Sequence, residues 1–364
     1  MIYSKVFQDN NEYDNYINSN DSIFPNLSLC NDTNNNVNIF YNSFNSLKVI
    51  KYMASSKLDE VTTDGDAGLH TNKFSGVNGQ LTIINHTFKN GHGFIEFDDV
   101  ITSIGNYAFY NCFNITYILL PYKLKTIGNY AFYGCSSLPN INFRGNITSI
   151  GNYAFYGCSI LSSIIIPNSI TTLGTNIFES CNALSSLTIG TGLTNISTNA
   201  FRNCRALSTV IIPNNIKTIG SNAFQLCINL SNLTIGTGVT SIGNSAFSDC
   251  IKLADIVIPN NVKTVGGDAF SRGVNTNSIS GNQNYRKRIT IGSGVTNIGS
   301  YTFRNYSKME WFKILATTPP PKGTSTFDGT NNCPIYVPDA SLESYKSTWN
   351  NYTARFKSLS EFPI

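Results

Sequence analysis

The chain has 364 residues, of which 41% are apolar and only 13% charged, and its 25 Lys and Arg against 21 Asp and Glu leave a net charge of +4. That apolar share supports a core, whereas the charged share is about half the usual one, so Asn, Ser and Thr are left to cover the surface. So weak a charge over this length gives no argument for nucleic acid or an anionic membrane surface as partner, and no run approaches the roughly 18 apolar residues of a membrane span.

Met1 opens on a polar stretch, Met-Ile-Tyr-Ser-Lys-Val-Phe-Gln-Asp-Asn-Asn, with no apolar run suited to a secretory signal. The expectation is a chain that is cytoplasmic, cropped of its leader, or released by cell lysis. Residues 1–50 carry no repeat. Asn11 to Asn20, with Tyr13 and Tyr16, suits one short helix. Leu27 and Leu29, then Val37, Ile39 and Tyr41, alternate with polar residues around the turn Asn31 to Asn36, which reads as a hairpin. So short a module builds little core alone and is expected to dock on another chain or on a copy of itself. Residues 51–80, rich in Ser, Thr, Gly and Asp, read as a connector.

Leu81 to Phe88 and Gly93 to Phe97 supply two strands. Ile95, Phe97 and Ile101 stand 23 residues before Ile118, Leu120 and Leu124, so this is a first, degenerate repeat that caps the array. From Ile101 to Phe270 the cassette Ile-x-x-Ile-Gly-x-x-Ala-Phe-x-x-Cys-x-x-Leu-x-x-Ile-x-Ile-Pro recurs every 23 residues, with Phe109, Phe132, Phe155, Phe178, Phe201, Phe224, Phe247 and Phe270 in step. Cys112, Cys135, Cys158, Cys181, Cys204, Cys227 and Cys250 keep the same step. A fixed period of this size means a solenoid in the leucine-rich-repeat range of about 20 to 29. The fold class is therefore an α/β repeat: a parallel sheet on the concave side, short helical turns outside, and a solenoid over 81–316.

Within a coil, Leu161, Ile164 and Ile166 point inward, and Ile170 and Leu173 carry the core round the next corner. Gly105, Gly128, Gly151 and Gly174 are expected to permit the backbone turn there. The cysteines should stack as free, buried thiols behaving as small hydrophobes; without Cys-x-x-Cys there is no zinc cage. The residue closing the strand alternates Pro121, Arg144, Pro167, Gly190, Pro213, Gly236, Pro259, so the duplicated unit is 46 residues, two coils at a time. The next matching phenylalanine is Phe303, 33 after Phe270, which places a ten-residue insertion within Ser271 to Arg288. This is expected as a bulging loop with Arg286, Lys287 and Arg288 solvated on it; it is either a contact loop or an accident of duplication. Residues 317–364 read as a C-terminal cap: Pro319 to Pro321 as a stop, Pro334 to Pro338 as a last strand, Asp339 as N-cap, and a helix burying Leu342, Tyr345 and Trp349.

The cassette Ile-Thr-Ser-Ile-Gly-Asn-Tyr-Ala-Phe-Tyr-Gly-Cys-Ser-x-Leu closely resembles the BspA-like (Treponema-type) leucine-rich repeat, over roughly Gly93 to Ala316. The tail from Cys333 to Lys346 is similar to the end-piece such proteins carry in gut Bacteroidales. Members are surface or secreted adhesins, so the resemblance implies binding to host proteins or cell surfaces and no catalysis. The chain departs from them in having no export signal or anchor. Phe24 to Asp32, followed by Val37 to Asn42, resembles a short module at the start of virion proteins of phages infecting such bacteria, which need no signal because lysis releases them.

Catalytic and metal sites find no footing. His70, His86 and His92 precede the array and fit no zinc spacing, so they read as surface or cap histidines. Asp64-Gly65-Asp66 lacks the later ligands of a calcium loop, and the neighbours Asp98 and Asp99 read as a solvated turn. No cofactor is expected. The candidate site is instead the outward concave face, in two columns: Tyr117, Asn140, Ser163, Ser186, Thr209, Asn232, Asp255, and Leu119, Asn142, Ile165, Thr188, Ile211, Thr234, Val257. A long face of low charge suits a neutral glycan or protein better than a phosphate backbone. Three readings follow: a phage virion fibre or decoration protein contacting the bacterial surface, attached to other virion proteins through its N-terminal module; a purely structural virion component; and a bacterial cell-surface adhesin. A homo-oligomer is compatible with each.

Overall fold

A 23-residue period puts equivalent residues of successive coils directly above one another, and the backbone obeys this literally. In a computed structural model, residues 48–363 are described apart from 62–67, 77, 144–145 and 273–286, together with the backbone of the strands Ser28–Asn31 and Val37–Phe40. The strand Ser163–Ile166 pairs parallel with Ser186–Ile189, Ser163 opposite Ser186 and Ile165 opposite Thr188. Thr209–Ile212 pairs in the same way with Asn232–Ile235, and Asp255–Ile258 with Lys287–Ile291. Side chains alternate across each strand, so Ile164, Ile166, Val210 and Ile212 are buried while Ile165 and Ile211 face out. A second wall of two-residue strands runs up the coils, as Thr126–Ile127, Ser149–Ile150 and Thr172–Leu173, then Asn195–Ile196 through Asn297–Ile298.

The core between the walls is columnar. From Phe109 to Phe327 the phenylalanine rings stack one per coil, 5.1–5.9 Å between centroids. Phe327, 24 residues after Phe303, extends the column into a stretch expected to be cap alone. The cysteines are free and buried as expected, and they do more than fill space. From Cys135 to Cys250 each Sγ donates to the carbonyl of the phenylalanine in the preceding coil, at 3.2–3.3 Å. Tyr306, which stands in the cysteine position, donates its hydroxyl to Phe270 O in the same way.

The outer arm, expected as short helical turns, is a run of tight turns. Tyr133 N bonds Tyr130 O and Cys135 N bonds Phe132 O within the coil, while Phe132 N reaches Ala154 O in the next. Left-handed residues such as Tyr130 (φ 56) and Gly134 (φ 69) stop a helix from propagating. The freed N–H groups bond along the solenoid axis instead. The corner glycines have a different purpose from the one expected. None of Gly105, Gly128, Gly151 and Gly174 has a left-handed backbone. They are needed because a Cβ on Gly128 would lie 2.6 Å from backbone atoms of Gly105 and Asn106 in the coil below. The adjoining asparagines lock the contact: Asn106 Oδ1 accepts Asn129 N at 2.8 Å, and Asn129 Oδ1 accepts Asn152 N at 2.7 Å.

Both ends are closed by other means. The described residues of 51–80, expected as a connector, include strands that cap the array. Val49–Ala54 inserts antiparallel between Ile115–Leu119 and His92–Phe97, and Phe74–Gly76 pairs antiparallel with Ile101–Ile104. The Tyr52 ring lies where a Cβ on Gly93 would sit, 1.9 Å away, so glycine there admits the wedge. The first repeat therefore stacks through Ile101–Ile104 on Thr126–Ile127, but its other strand is held apart by Val49–Ala54. At the far end Ile335–Val337 and Phe356–Ser358 continue the sheet. Tyr345 and Trp349 are buried and donate to Ala316 O and Pro320 O. Asp339 is not the N-cap of the helix Leu342–Thr348, whose cap position is Ser341; a 3-10 turn, Asp339–Ser341, intervenes. The hairpin Ser28–Asn31 with Val37–Phe40 pairs antiparallel as expected; the helix expected within Asn11 to Asn20 and the Asp64 to Asp66 stretch lie outside the described residues.

Lys287 and Arg288 are not on a loop. They lie in the strand Lys287–Ile291, which resumes the register with Asp255 opposite Arg288. Residues 273–286 of the insertion lie outside the described residues.

Candidate functional site

Each long strand presents two outward residues, because a strand of four alternates two in and two out. The register within each strand pair lines these up as two columns that repeat pair by pair along the solenoid. Asn140, Asn142, Ser186, Thr188, Thr209, Asn232, Thr234 and Asp255 are exposed and Ser163 is half-buried. Ile165, Ile211 and Val257 are exposed at 67%, 62% and 60%, with Thr188, Thr234 and Thr290 opposite or between them in the ladder. Tyr117 and Leu119, at the N-terminal end, are half-buried beside their antiparallel partners Met53 and Lys51.

The columns run further than the 23-residue step could trace. Across the 33-residue step Asp255 is followed by Arg288 and then Trp311, and Val257 by Thr290 and then Lys313. Arg288 grips Asp255 with both arms, Nε to Oδ1 at 2.7 Å and Nη2 to Oδ2 at 2.5 Å. That hydrogen-bonded pair raises the Arg288 pKa further above its already high value and cancels the charge locally. Trp311 meets Phe362 edge-on at 4.9 Å, and Lys313 Nζ lies 4.3 Å from the same ring. The signal that could have found Trp311 is its alignment with Arg288, once the insertion is placed before Lys287.

The other candidates resolve into scaffolding. His86 bridges Glu60 and Tyr52, Nδ1 to Oε1 at 2.6 Å and Nε2 to the Tyr52 hydroxyl at 2.8 Å. Burial lowers its pKa against the pull of Glu60. Asp98 accepts from Thr82 N at 3.0 Å, and Asp99 from Val100 N at 2.7 Å, as turn residues do. Lys287 is buried, donates to Ile251 O at 3.1 Å, and is pushed down to about 7 by burial and then by Arg272. Among the described residues no group of three or more His, Cys, Asp or Glu is placed to hold a metal, and no helix is long and apolar enough to cross a membrane.

The family described as a BspA type leucine rich repeat region (6 copies) matches residues 69–185, 102–230, 178–288 and 281–359, well over half of the chain. No curated protein matches. Among solved structures, a leucine rich repeat protein of T. pallidum is 30% identical over 43% of this chain and 73% of its own, with a TM-score of 0.41. One from Bacteroides ovatus is 20% identical over 84% of this chain and 98% of its own, with a TM-score of 0.45. One from Eubacterium ventriosum is 28% identical over 42% of each chain, with a TM-score of 0.40.

Proposed function

The chain belongs to the BspA type leucine rich repeat family, and on that premise we propose that it is a non-enzymatic recognition protein whose long-strand face contacts a bacterial surface glycan or protein. The observation that carries this is the face itself: two columns of small polar and isolated aliphatic side chains from Asn140 to Thr290, in register within each strand pair, with Asp255 and Arg288 neutralising each other. Solenoids use such surfaces for recognition, and isolated low-charge groups of this kind suit a neutral partner. Residues 1–50 would attach the solenoid to other virion proteins or to a copy of itself, leaving 81–316 to reach the target. The solenoid would then stand on a phage particle as a fibre or decoration. Display on a bacterial cell as an adhesin is the second reading, and family membership favours it.

Immunogold labelling with antibody against the repeats, on purified phage and on uninfected cells, tests the placement. Regular label on virions alone supports the fibre reading. Label on uninfected cell surfaces alone overturns it in favour of the adhesin.

A further inference from the structure

The strand face has a period of its own, twice that of the coil. Ile165, Ile211 and Val257 follow one another at 46 residues, two coils apart, with a threonine in the intervening coil. The backbone keeps the same grouping. Ser163–Ile166 ladders with Ser186–Ile189, and Thr209–Ile212 with Asn232–Ile235, as separate two-stranded sheets. Within such a pair the coils close tightly: a Cβ on Gly190 would lie 2.5 Å from Ile166 O, and one on Gly236 2.6 Å from Ile212 O. Between pairs an asparagine side chain spans the joint, as Asn215 Nδ2 does to Leu193 O and Asn261 Nδ2 to Thr237 O. The doubled period therefore belongs to the long-strand wall as well as to its surface, while the second wall keeps the single-coil step.

We infer that this face binds an extended, neutral, β-linked polysaccharide lying along the solenoid axis, one disaccharide to every two coils. The inference rests on the recognition reading above and names the ligand class. Paired strands follow one another at about 4.8 Å, and the phenylalanine rings of successive coils from Phe155 to Phe247 lie 5.2–5.6 Å apart, so the aliphatic side chains recur every roughly 10–11 Å. An extended peptide repeats one face every ~7 Å and falls out of step at once. A helix returns to the same line after seven residues, at ~10.5 Å, but it docks an unbroken apolar ridge into an apolar groove. Here Thr188 and Thr234 interrupt the aliphatic column, and Ser163, Ser186, Thr209 and Asn232 run beside it. An extended β-1,4-linked hexose chain turns over at each linkage and presents the same edge every second sugar, over a rise close to that of two coils. Its C–H patches would meet Ile165, Ile211 and Val257, and its hydroxyls the hydroxyl and amide groups between them. The first column is bracketed by aromatic residues, Tyr117 at one end and Trp311 at the other, which suit the ends of a sugar chain.

The test is calorimetric titration of the full chain with neutral β-1,4-linked gluco-, manno- and N-acetylgluco-oligosaccharides of two to eight sugars. The expected result is affinity in at least one series that climbs in steps of two sugars. Ile211→Thr, an exposed change that leaves the fold intact, should weaken the longest oligomer roughly tenfold and the disaccharide far less. Absence of binding in all three series, a smooth rise with each single sugar, or an Ile211→Thr protein that binds as tightly as the parent overturns the inference. If no series binds yet the protein still adheres to bacterial cells through this face, the ligand class falls and the recognition reading stands.

Discussion

A Cβ on Gly174 would lie 2.3 Å from Asn152 N and Gly151 C in the coil below, whereas one on Gly157, at φ +69, meets nothing nearer than Gly134 Cα at 3.9 Å. The two glycines are therefore required for different reasons. Gly157→Ala should cost about 1 kcal/mol, the strain of a left-handed alanine, and Gly174→Ala more, about 2–3 kcal/mol, since backbone must give way to backbone. Urea unfolding of both variants checks this, and an equal or reversed order would contradict the close-stacking account. The sequence made Gly174 legible as a special position but not its reason, because spacing cannot distinguish a turn from a near approach. Lys287 makes a pH prediction. Burial brings it from 10.5 to about 7, so between those values the unfolded chain holds a proton that the folded one has lost. Stability contributed there rises with pH, and the penalty stands in full below pH 7. Lys287→Met should be more stable than the parent at pH 6, with the difference shrinking towards pH 10. A pH-independent difference in urea midpoint would show that Lys287 is not desolvated.

At the scale of the coil, each element is stabilised by its two neighbours rather than by a distant core. Phe201 stacks on Phe178 at 5.6 Å and on Phe224 at 5.2 Å. Phe201→Ala should cost about 3–5 kcal/mol, with amide exchange accelerated chiefly in the three coils carrying those rings. Uniform acceleration through both caps would mean that the stack unfolds as one unit. The columns of Phe and Cys could be read from the period alone, because a fixed step fixes which residues share a position. The Sγ to carbonyl bonds could not: Cys204 donates to Phe178 O, a residue in the coil below, and burial reads as apolar packing until the acceptor is seen. The same limit concealed Phe327, whose step of 24 and flanking Thr326 break the Ala-Phe pattern.

For the whole molecule, the array and its outward columns were legible and its ends were not. Val49–Ala54 shares no 23-step with the coils, because it runs antiparallel to them, and an antiparallel wedge leaves no periodic trace. Lys287 and Arg288 looked like a loop because a basic pair beside an insertion has no register until its partner Asp255 is known. The in-and-out alternation of Ile164 and Ile165, by contrast, follows from strand geometry and was secure. The central claim is that this strand face is the recognition surface. It is tested most directly by binding of fluorescently labelled full chain to intact bacterial cells, comparing Thr188→Arg and Thr234→Arg on the face with Thr198→Arg on the outer arm. All three positions are exposed. The account predicts loss of binding for the two face variants and none for Thr198→Arg; equal binding by all three would contradict it.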